Sequence, residues 1–216
     1  MEQYNAIILG ATGATGTAIL LQLIEDEDFK RVLIFTRKDP LIQHKKLITH
    51  IVNFDQLENW KSKIKGDILF SAMGTTLKDA GNKENQYKVD FSYQLNFAKA
   101  AFDNNVKKLL LVSSVGANSR SYFFYPKIKG KLENAVKNLD FQQIYIFRPP
   151  VLIRQNEKMR SNEKILIIIF KALNKLKLLL SQKPMKVEIL AKKMIAISKK
   201  ETQQKQNTFL PKDIFN

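Results

Sequence analysis

The sequence predicts an α/β fold, a doubly wound parallel sheet covered by helices on both faces, with a small C-terminal lobe. Three observations carry that expectation. Short apolar runs alternate along the chain with segments whose apolar residues recur at helical spacing. The runs are nearly continuous in apolar residues, as in strands buried on both faces. The first of them breaks into Gly10, Gly13 and Gly16, spaced GxxGxxG, and a helical pattern begins at once.

Ala6, Ile7, Ile8 and Leu9 form the expected first strand, and Ile19, Leu20, Leu23 and Ile24 mark one face of the helix after the glycines. RVLIF at Arg31 to Phe35, LITHIV at Leu47 to Val52 and DILFSA at Asp67 to Ala72 read as strands two, three and four. Lys88 to Asn104 carries Phe91, Leu95, Ala98 and Phe102 on one helical face, and KLLLVSS at Lys108 to Ser114 is a buried fifth strand. A helix from about Pro126 to Lys137 leads to strand six, IYIF, at Ile144 to Phe147. Pro149 and Pro150 stop that strand, because proline fixes φ and lacks an N–H. Helices are expected around Glu163 to Leu180 and Val187 to Lys199, with a last edge strand in NTFLP. The domain reading is therefore one unit, its cofactor part about 1–150 and a small substrate lobe about 151–216. Leu166, Ile169, Phe170, Leu173 and Leu176 could line an apolar substrate entrance, although such a stripe is more often simply core or a dimer seam.

A chain of 216 residues with 44% hydrophobic content can bury a sizeable core. With no cysteine, disulfides and thiolate metal sites are excluded, and His44 and His50 are too few for a histidine metal cluster. MEQYN enters the first strand without a basic and then apolar leader, which argues against secretion, and the expected location is cytoplasmic. The longest apolar run, Ile165 to Phe170, is far too short for a bilayer. Net charge is +16, and +10 of it lies between Lys158 and Asn216. The lysines are scattered through helical patterns with no aromatic stacking platform, so a solvated surface is the better reading and a nucleic-acid partner the weaker one. Monomer and homodimer both stay open.

Parallel sheets bind ligands at the carboxyl ends of their strands. At the first such end, one glycine permits a tight turn, the next admits a pyrophosphate to the backbone, and the third lets the helix approach the sheet. The helix adds free N–H groups and partial positive charge. The pattern is expected to form a dinucleotide site of the Rossmann type, with a structural glycine turn as the plainer alternative. After strand two come Thr36, Arg37 and Lys38, where a site built for NAD places an acid on the ribose hydroxyls. Basic residues suit a 2′-phosphate, so NADP(H) is expected over NAD(H); the plainer alternative is a solvated loop. Asp55 can accept from an adenine amino group or cap a helix running to Lys63. Ala72, Met73 and Gly74 are small or flexible enough to pass beneath a cofactor.

Strand five delivers Ser113 and Ser114, and Tyr125 with Lys129 follows, sharing one helical face at i and i+4. An ammonium beside a phenol favours the phenolate and eases proton transfer near neutrality. A serine hydroxyl can hold the reacting oxygen. With a nicotinamide, this set reduces a carbonyl or oxidises an alcohol. In so lysine-rich a chain YxxxK arises readily by chance, so its weight lies in its position after the strand bearing Ser114. The competing reading pairs Lys129 with Glu133 at the helix surface.

ILGATGATG at Ile8 to Gly16, FTRK at Phe35 to Lys38, AMGTT at Ala72 to Thr76 and VDFSYQLNFAKAA at Val89 to Ala101 carry a resemblance. LLVSSVGA at Leu110 to Ala117, YPKIKGKLE at Tyr125 to Glu133 and FRPPVL at Phe147 to Leu152 continue it in the same order. The chain resembles the atypical short-chain dehydrogenase/reductases, and among them the HIV Tat-interacting oxidoreductase group and its bacterial relatives. The resemblance implies an NADPH-dependent oxidoreductase of a small carbonyl or alcohol. It places Gly10, Thr12, Gly13, Ala14, Thr15 and Gly16 around the pyrophosphate, Arg37 and Lys38 at the 2′-phosphate, and Pro149 beside the nicotinamide. It makes Tyr125 the general acid/base, Lys129 its activator and a nicotinamide-ribose ligand, and Ser114 the oxyanion holder, with Ser113 the alternative. A redox-sensing regulator that binds NADPH with little catalysis is the second functional reading.

Overall fold

A computed structural model describes residues 3–153 and 183–215. Strand β1 (Tyr4–Leu9) is followed by α1 (Ala14–Glu25), β2 (Phe29–Thr36) and β3 (Leu47–Ile51). Two 3-10 turns, Phe54–Asn59 and Lys61–Lys63, lead to β4 (Ile68–Ser71). Then come α2 (Leu77–Ala80), α3 (Lys83–Tyr87), a π-helical turn (Lys88–Tyr93), α4 (Gln94–Asp103), β5 (Lys108–Val112), α5 (Phe124–Lys137) and β6 (Gln143–Phe147). The two-residue strands β7 (Leu152–Ile153) and β8 (Met185–Lys186) pair with each other, and α6 (Val187–Ser198), β9 (Gln206–Phe209) and α7 (Pro211–Phe215) close the described chain.

The seven-stranded sheet runs β3-β2-β1-β4-β5-β6-β9 and every pairing in it is parallel. Alternate residues of each strand feed opposite faces. Ile8, Ile34, Phe70, Leu110 and Phe147 pack with Ile19 and Leu23 of α1 and Leu190 and Met194 of α6. On the other face Leu9, Phe35, Leu69, Leu111 and Ile146 pack with Phe97 and Ala101 of α4 and Leu132 and Val136 of α5. Both faces are therefore dry, which is why the strands read as unbroken apolar runs. The doubly wound α/β fold expected from the sequence is the fold observed.

Several boundaries move. The helix expected from Lys88 starts at Lys83 and passes through the π turn. The helix expected from Pro126 starts at Phe124, since proline is tolerated within a first turn whose N–H groups have no intrahelical acceptor. The helix expected across Asp55 to Lys63 is instead two 3-10 turns. Of the expected lobe, the Glu163 to Leu180 helix and the stripe Leu166, Ile169, Phe170, Leu173 and Leu176 lie outside the described residues. Its later part joins the main body: α6 packs on α1, and β9 hydrogen-bonds to β6 as the edge strand. Lys108 fastens this end by donating to the carbonyls of Ser198 and Lys200, at 3.0 and 3.2 Å. Among the described residues, no helix is long and apolar enough to cross a membrane.

Candidate cofactor and active site

The three glycines have different physical reasons. Gly10 has φ +89°, and a Cβ there would lie 2.6 Å from the Met73 amide nitrogen and 2.8 Å from the Ala72 carbonyl carbon. It lets the turn after β1 press on the segment after β4, where the Ala72 N–H donates to the Leu9 carbonyl at 2.9 Å. Gly16 lies deeper: its Cβ would fall 2.0 Å from the Gly10 carbonyl oxygen. Gly13 is the N-cap of α1, with φ −81°, and its added Cβ would make only an ordinary 3.4 Å contact. Nothing inside the protein demands glycine there. No side chain caps α1, and no acid stands in its first turn. Exposed Thr12 and Gly13 lead into this helix start, with Ala14 half-buried and Thr15 buried.

At the end of β2, Thr36 is buried with its hydroxyl unpartnered, and Arg37 and Lys38 follow as exposed residues. After β3, the helical cap is Asn53, which accepts from the Asp55 N–H at 3.0 Å, so Asp55 does not serve as the cap. The Asp55 carboxylate instead accepts from the Tyr93 hydroxyl and pairs with Lys88, each at 2.6 Å. The Lys88 hydrogen bond, then that of Tyr93, holds this carboxyl below its ordinary range. After β4, Gly74 leaves room for Asp90, whose Oδ1 would lie 3.2 Å from a Cβ there and accepts the Thr75 N–H at 3.1 Å.

Beyond β5 the two serines part. Ser113 donates to Glu133 Oε1 at 2.5 Å, and Arg148 makes a two-pronged pair with the same carboxylate at 2.9 and 2.6 Å. Glu133 is thereby engaged across α5 and the end of β6, and the surface pair Lys129–Glu133 does not form. Ser114 Oγ is buried without a partner. Lys129 is 3% exposed; its ammonium donates to the Val112 carbonyl at 3.3 Å and stands 6.0 Å from the Tyr125 ring centroid. Tyr125 is 41% exposed. The Pro149 carbonyl accepts from the Val115 N–H at 3.0 Å, tying the ends of β5 and β6 together.

Sequence reasoning missed three supports of this region. The Arg148–Glu133–Ser113 bridge joins residues far apart in the chain and has no local signature. Asp90 had one signal, an acid within an apolar helical run. Gly130 also had one, a glycine inside a helical pattern: a Cβ there would fall 2.2 Å from the Ser119 nitrogen and 2.3 Å from the Asn118 carbonyl carbon, so it lets the loop after β5 seat on α5.

A parallel sheet whose first turn presents an uncapped, glycine-rich helix start defines a dinucleotide-binding protein of the Rossmann type. The chain belongs to the NAD(P)H-binding family, which matches residues 10–164. It is 36% identical over 172 residues to the mitochondrial protein fmp52 of Aspergillus fumigatus, covering 76% of this chain and 74% of that one. It is also 36% identical to mitochondrial FMP52 of Eremothecium gossypii, over 71% and 68% of the two chains. Among solved structures it resembles a short-chain dehydrogenase from Burkholderia cenocepacia in complex with NADP, with TM-score 0.67, 14% identity and 96% and 88% coverage. It likewise resembles a UDP-N-acetylglucosamine 4-epimerase from Methanobrevibacter ruminantium, with TM-score 0.70, 16% identity and 97% and 76% coverage.

These relatives correct the cytoplasmic location expected from the sequence, since the fungal proteins are named mitochondrial. The reasoning behind that expectation weighed only a secretory leader and disulfides, and neither bears on import into an organelle.

Proposed function

We propose that this protein is an NADPH-dependent oxidoreductase that reduces a small carbonyl compound, or oxidises the corresponding alcohol, at Ser114, Tyr125 and Lys129. The observation that carries the reading is the division of labour after β5. Ser113 is consumed by Glu133, whereas Ser114 keeps a free buried hydroxyl, and Lys129 turns from the helix surface toward the Tyr125 ring. The cofactor fit rests on Gly13, whose lack of a side chain no internal contact explains, and on the uncapped start of α1.

In this reading Gly10, Thr12, Gly13, Ala14, Thr15 and Gly16 hold the pyrophosphate, and Arg37 and Lys38 hold the 2′-phosphate. Asp55 borders the adenine, Ala72, Met73 and Gly74 underlie the cofactor, and Pro149 lies near the nicotinamide. The bound nicotinamide supplies hydride. Ser114 donates to the carbonyl oxygen, Tyr125 delivers the proton to it, and the Lys129 ammonium stabilises the phenolate left behind and orients the ribose. The names of the fungal relatives support a mitochondrial location.

The test is a fluorescence titration with NADPH and NADH of the wild type, Arg37→Ala and Tyr125→Phe, followed by a carbonyl screen. NADPH is expected to bind more tightly than NADH. Arg37→Ala should weaken NADPH about 10- to 100-fold, the worth of a charge-assisted phosphate contact, and leave NADH unchanged. Tyr125→Phe should bind NADPH normally and fail to turn over. Failure of the wild type to bind either nucleotide would overturn the reading. Binding without turnover of any carbonyl would favour a redox-sensing regulator.

A further inference from the structure

The loop from Ser113 to Phe123 joins β5 to α5 at the carboxyl edge of the sheet, the edge at which parallel sheets bind ligands. It ends in a run of four aromatic residues. Tyr122 is fully exposed and Phe123 is 76% exposed, directly ahead of Phe124 and Tyr125. Phe124 is half-buried, and the Lys83 ammonium lies over its ring at 5.5 Å.

Hydrogen bonds hold this loop in place. The Asn118 N–H donates to the Pro126 carbonyl and the Ser121 N–H to the Asn118 carbonyl, each at 3.0 Å. The Arg120 N–H donates to the Asn118 side chain at 2.9 Å, and the Phe123 N–H to the Ser121 hydroxyl at 3.1 Å. From α5, Asn134 donates to the Ser119 hydroxyl at 3.1 Å, and Gly130 lets the Asn118–Ser119 backbone seat on the helix. A loop so tied keeps two aromatic side chains in water and forgoes the large burial gain that such rings offer. Adjacent apolar groups held out in this way mark a binding surface.

Position and charge select its occupant. The loop opens at Ser114 and leads into Tyr125, so the pair borders the site proposed above. Two residues of chain span at most about 7 Å, so the Phe123 backbone stands within the length of a two-ring arene from that of Tyr125. Exposed rings recognise flat ring systems by stacking, or cations over their faces. From Asn118 to Leu132 the chain has no acid and carries Arg120, Lys127, Lys129 and Lys131. That charge repels a cation and leaves a flat arene as the better fit.

We propose that Tyr122 and Phe123 form the substrate platform of this site and that the carbonyl compound it takes is aromatic, its ring stacked on the pair while its carbonyl reaches Ser114 and Tyr125. This rests on the assignment of Ser114, Tyr125 and Lys129 made above. Hydride from NADPH goes to the carbonyl carbon and the Tyr125 proton to its oxygen, so an aryl alcohol and the oxidised cofactor are the products.

The test measures affinity without turnover. Protein loaded with oxidised NADP is titrated with 2-acetonaphthone or 2-octanone, ketones of comparable hydrophobicity that cannot be reduced in that complex, under ligand-observed NMR. The wild type should bind the aromatic ketone at least tenfold more tightly. Tyr122→Ala combined with Phe123→Ala should weaken the aromatic ketone about tenfold, the scale of an aromatic stack, and the melting temperature should stay near that of the wild type because both side chains are exposed. No measurable binding of 2-acetonaphthone, equal affinity for the two ketones, or an aromatic affinity untouched by the double substitution overturns the proposal. A double variant that keeps the aromatic ketone and loses adsorption to phosphatidylserine vesicles also overturns it, because the pair is then a membrane contact. NADPH titration of the wild type separates the two levels. Cofactor binding without a preference for the arene sinks the platform alone, whereas no cofactor binding sinks the functional reading itself.

Discussion

Alanine in place of Gly16 or of Gly13 separates a glycine kept for packing from one kept for a ligand. At position 16 the new methyl would meet three backbone atoms, the Gly10 carbonyl oxygen at 2.0 Å, its carbon at 2.6 Å and the Ala11 Cα at 2.9 Å. No rotamer can relieve that, so α1 must lift from the turn. Overpacking of this kind costs about 1–3 kcal/mol, and with backbone on every side the upper end applies. Alanine returns about 1 kcal/mol of helix propensity, leaving a net loss of about 2 kcal/mol. For a chain of this length that lowers Tm by about 4–8 °C. At position 13 the methyl makes an ordinary 3.4 Å contact with φ in an allowed region. Stability should fall there by less, about 0.5–1 kcal/mol, the difference between glycine and alanine at an N-cap. On the proposed cofactor reading, NADPH affinity should nevertheless drop at least tenfold, because the methyl would project where the pyrophosphate approaches. Thermal denaturation and nicotinamide fluorescence on both variants decide the matter. Equal destabilisation of the two, or wild-type NADPH affinity in Gly13→Ala, would refute the reasoning.

Arg148→Met leaves the Glu133 carboxylate, with its side chain 2% exposed, supported only by Ser113. Urea denaturation should show a loss of about 3 kcal/mol, as when one partner of a buried pair is removed. Gly130→Ala forces the Asn118–Ser119 backbone off α5, so turnover should fall by a larger factor than NADPH affinity, measured as kcat against the NADPH dissociation constant. Asp90 also gives a pH prediction. Its folded carboxyl is raised above the unfolded value of 3.8, so its contribution to stability is complete below that value and is lost as pH rises through the folded one. Relative to wild type, Asp90→Asn should therefore gain stability as pH rises from 3.8 through the raised folded value, and denaturation curves whose difference stays flat as pH rises above 3.8 would contradict this.

Local sequence determined much of this protein. The apolar runs, the glycine spacing and the i, i+4 placement of Tyr125 and Lys129 are properties of short segments. The parallel sheet and its cofactor-binding end were legible because dry strands and a glycine turn each leave a signature a few residues long. Thr36 to Lys38 was legible in the same way, as the polar end of a strand. Tertiary structure decided the rest. Ser113 and Ser114 are neighbours of identical chemistry, and only Glu133, brought alongside by α5 and itself held by Arg148 from the end of β6, distinguishes them. Asp55 read equally as a cap or a ligand until Asn53 took the cap and Lys88 and Tyr93 took the carboxylate. Asp90 looked like one acid in a helical run until folding buried it, with one carboxylate oxygen on the Thr75 N–H and the other without a partner. The physical reason is common to all three. A residue's propensity and hydrophobicity act over one or two turns of chain, whereas its hydrogen-bond partner and the charge it feels come from whichever segments the fold packs against it.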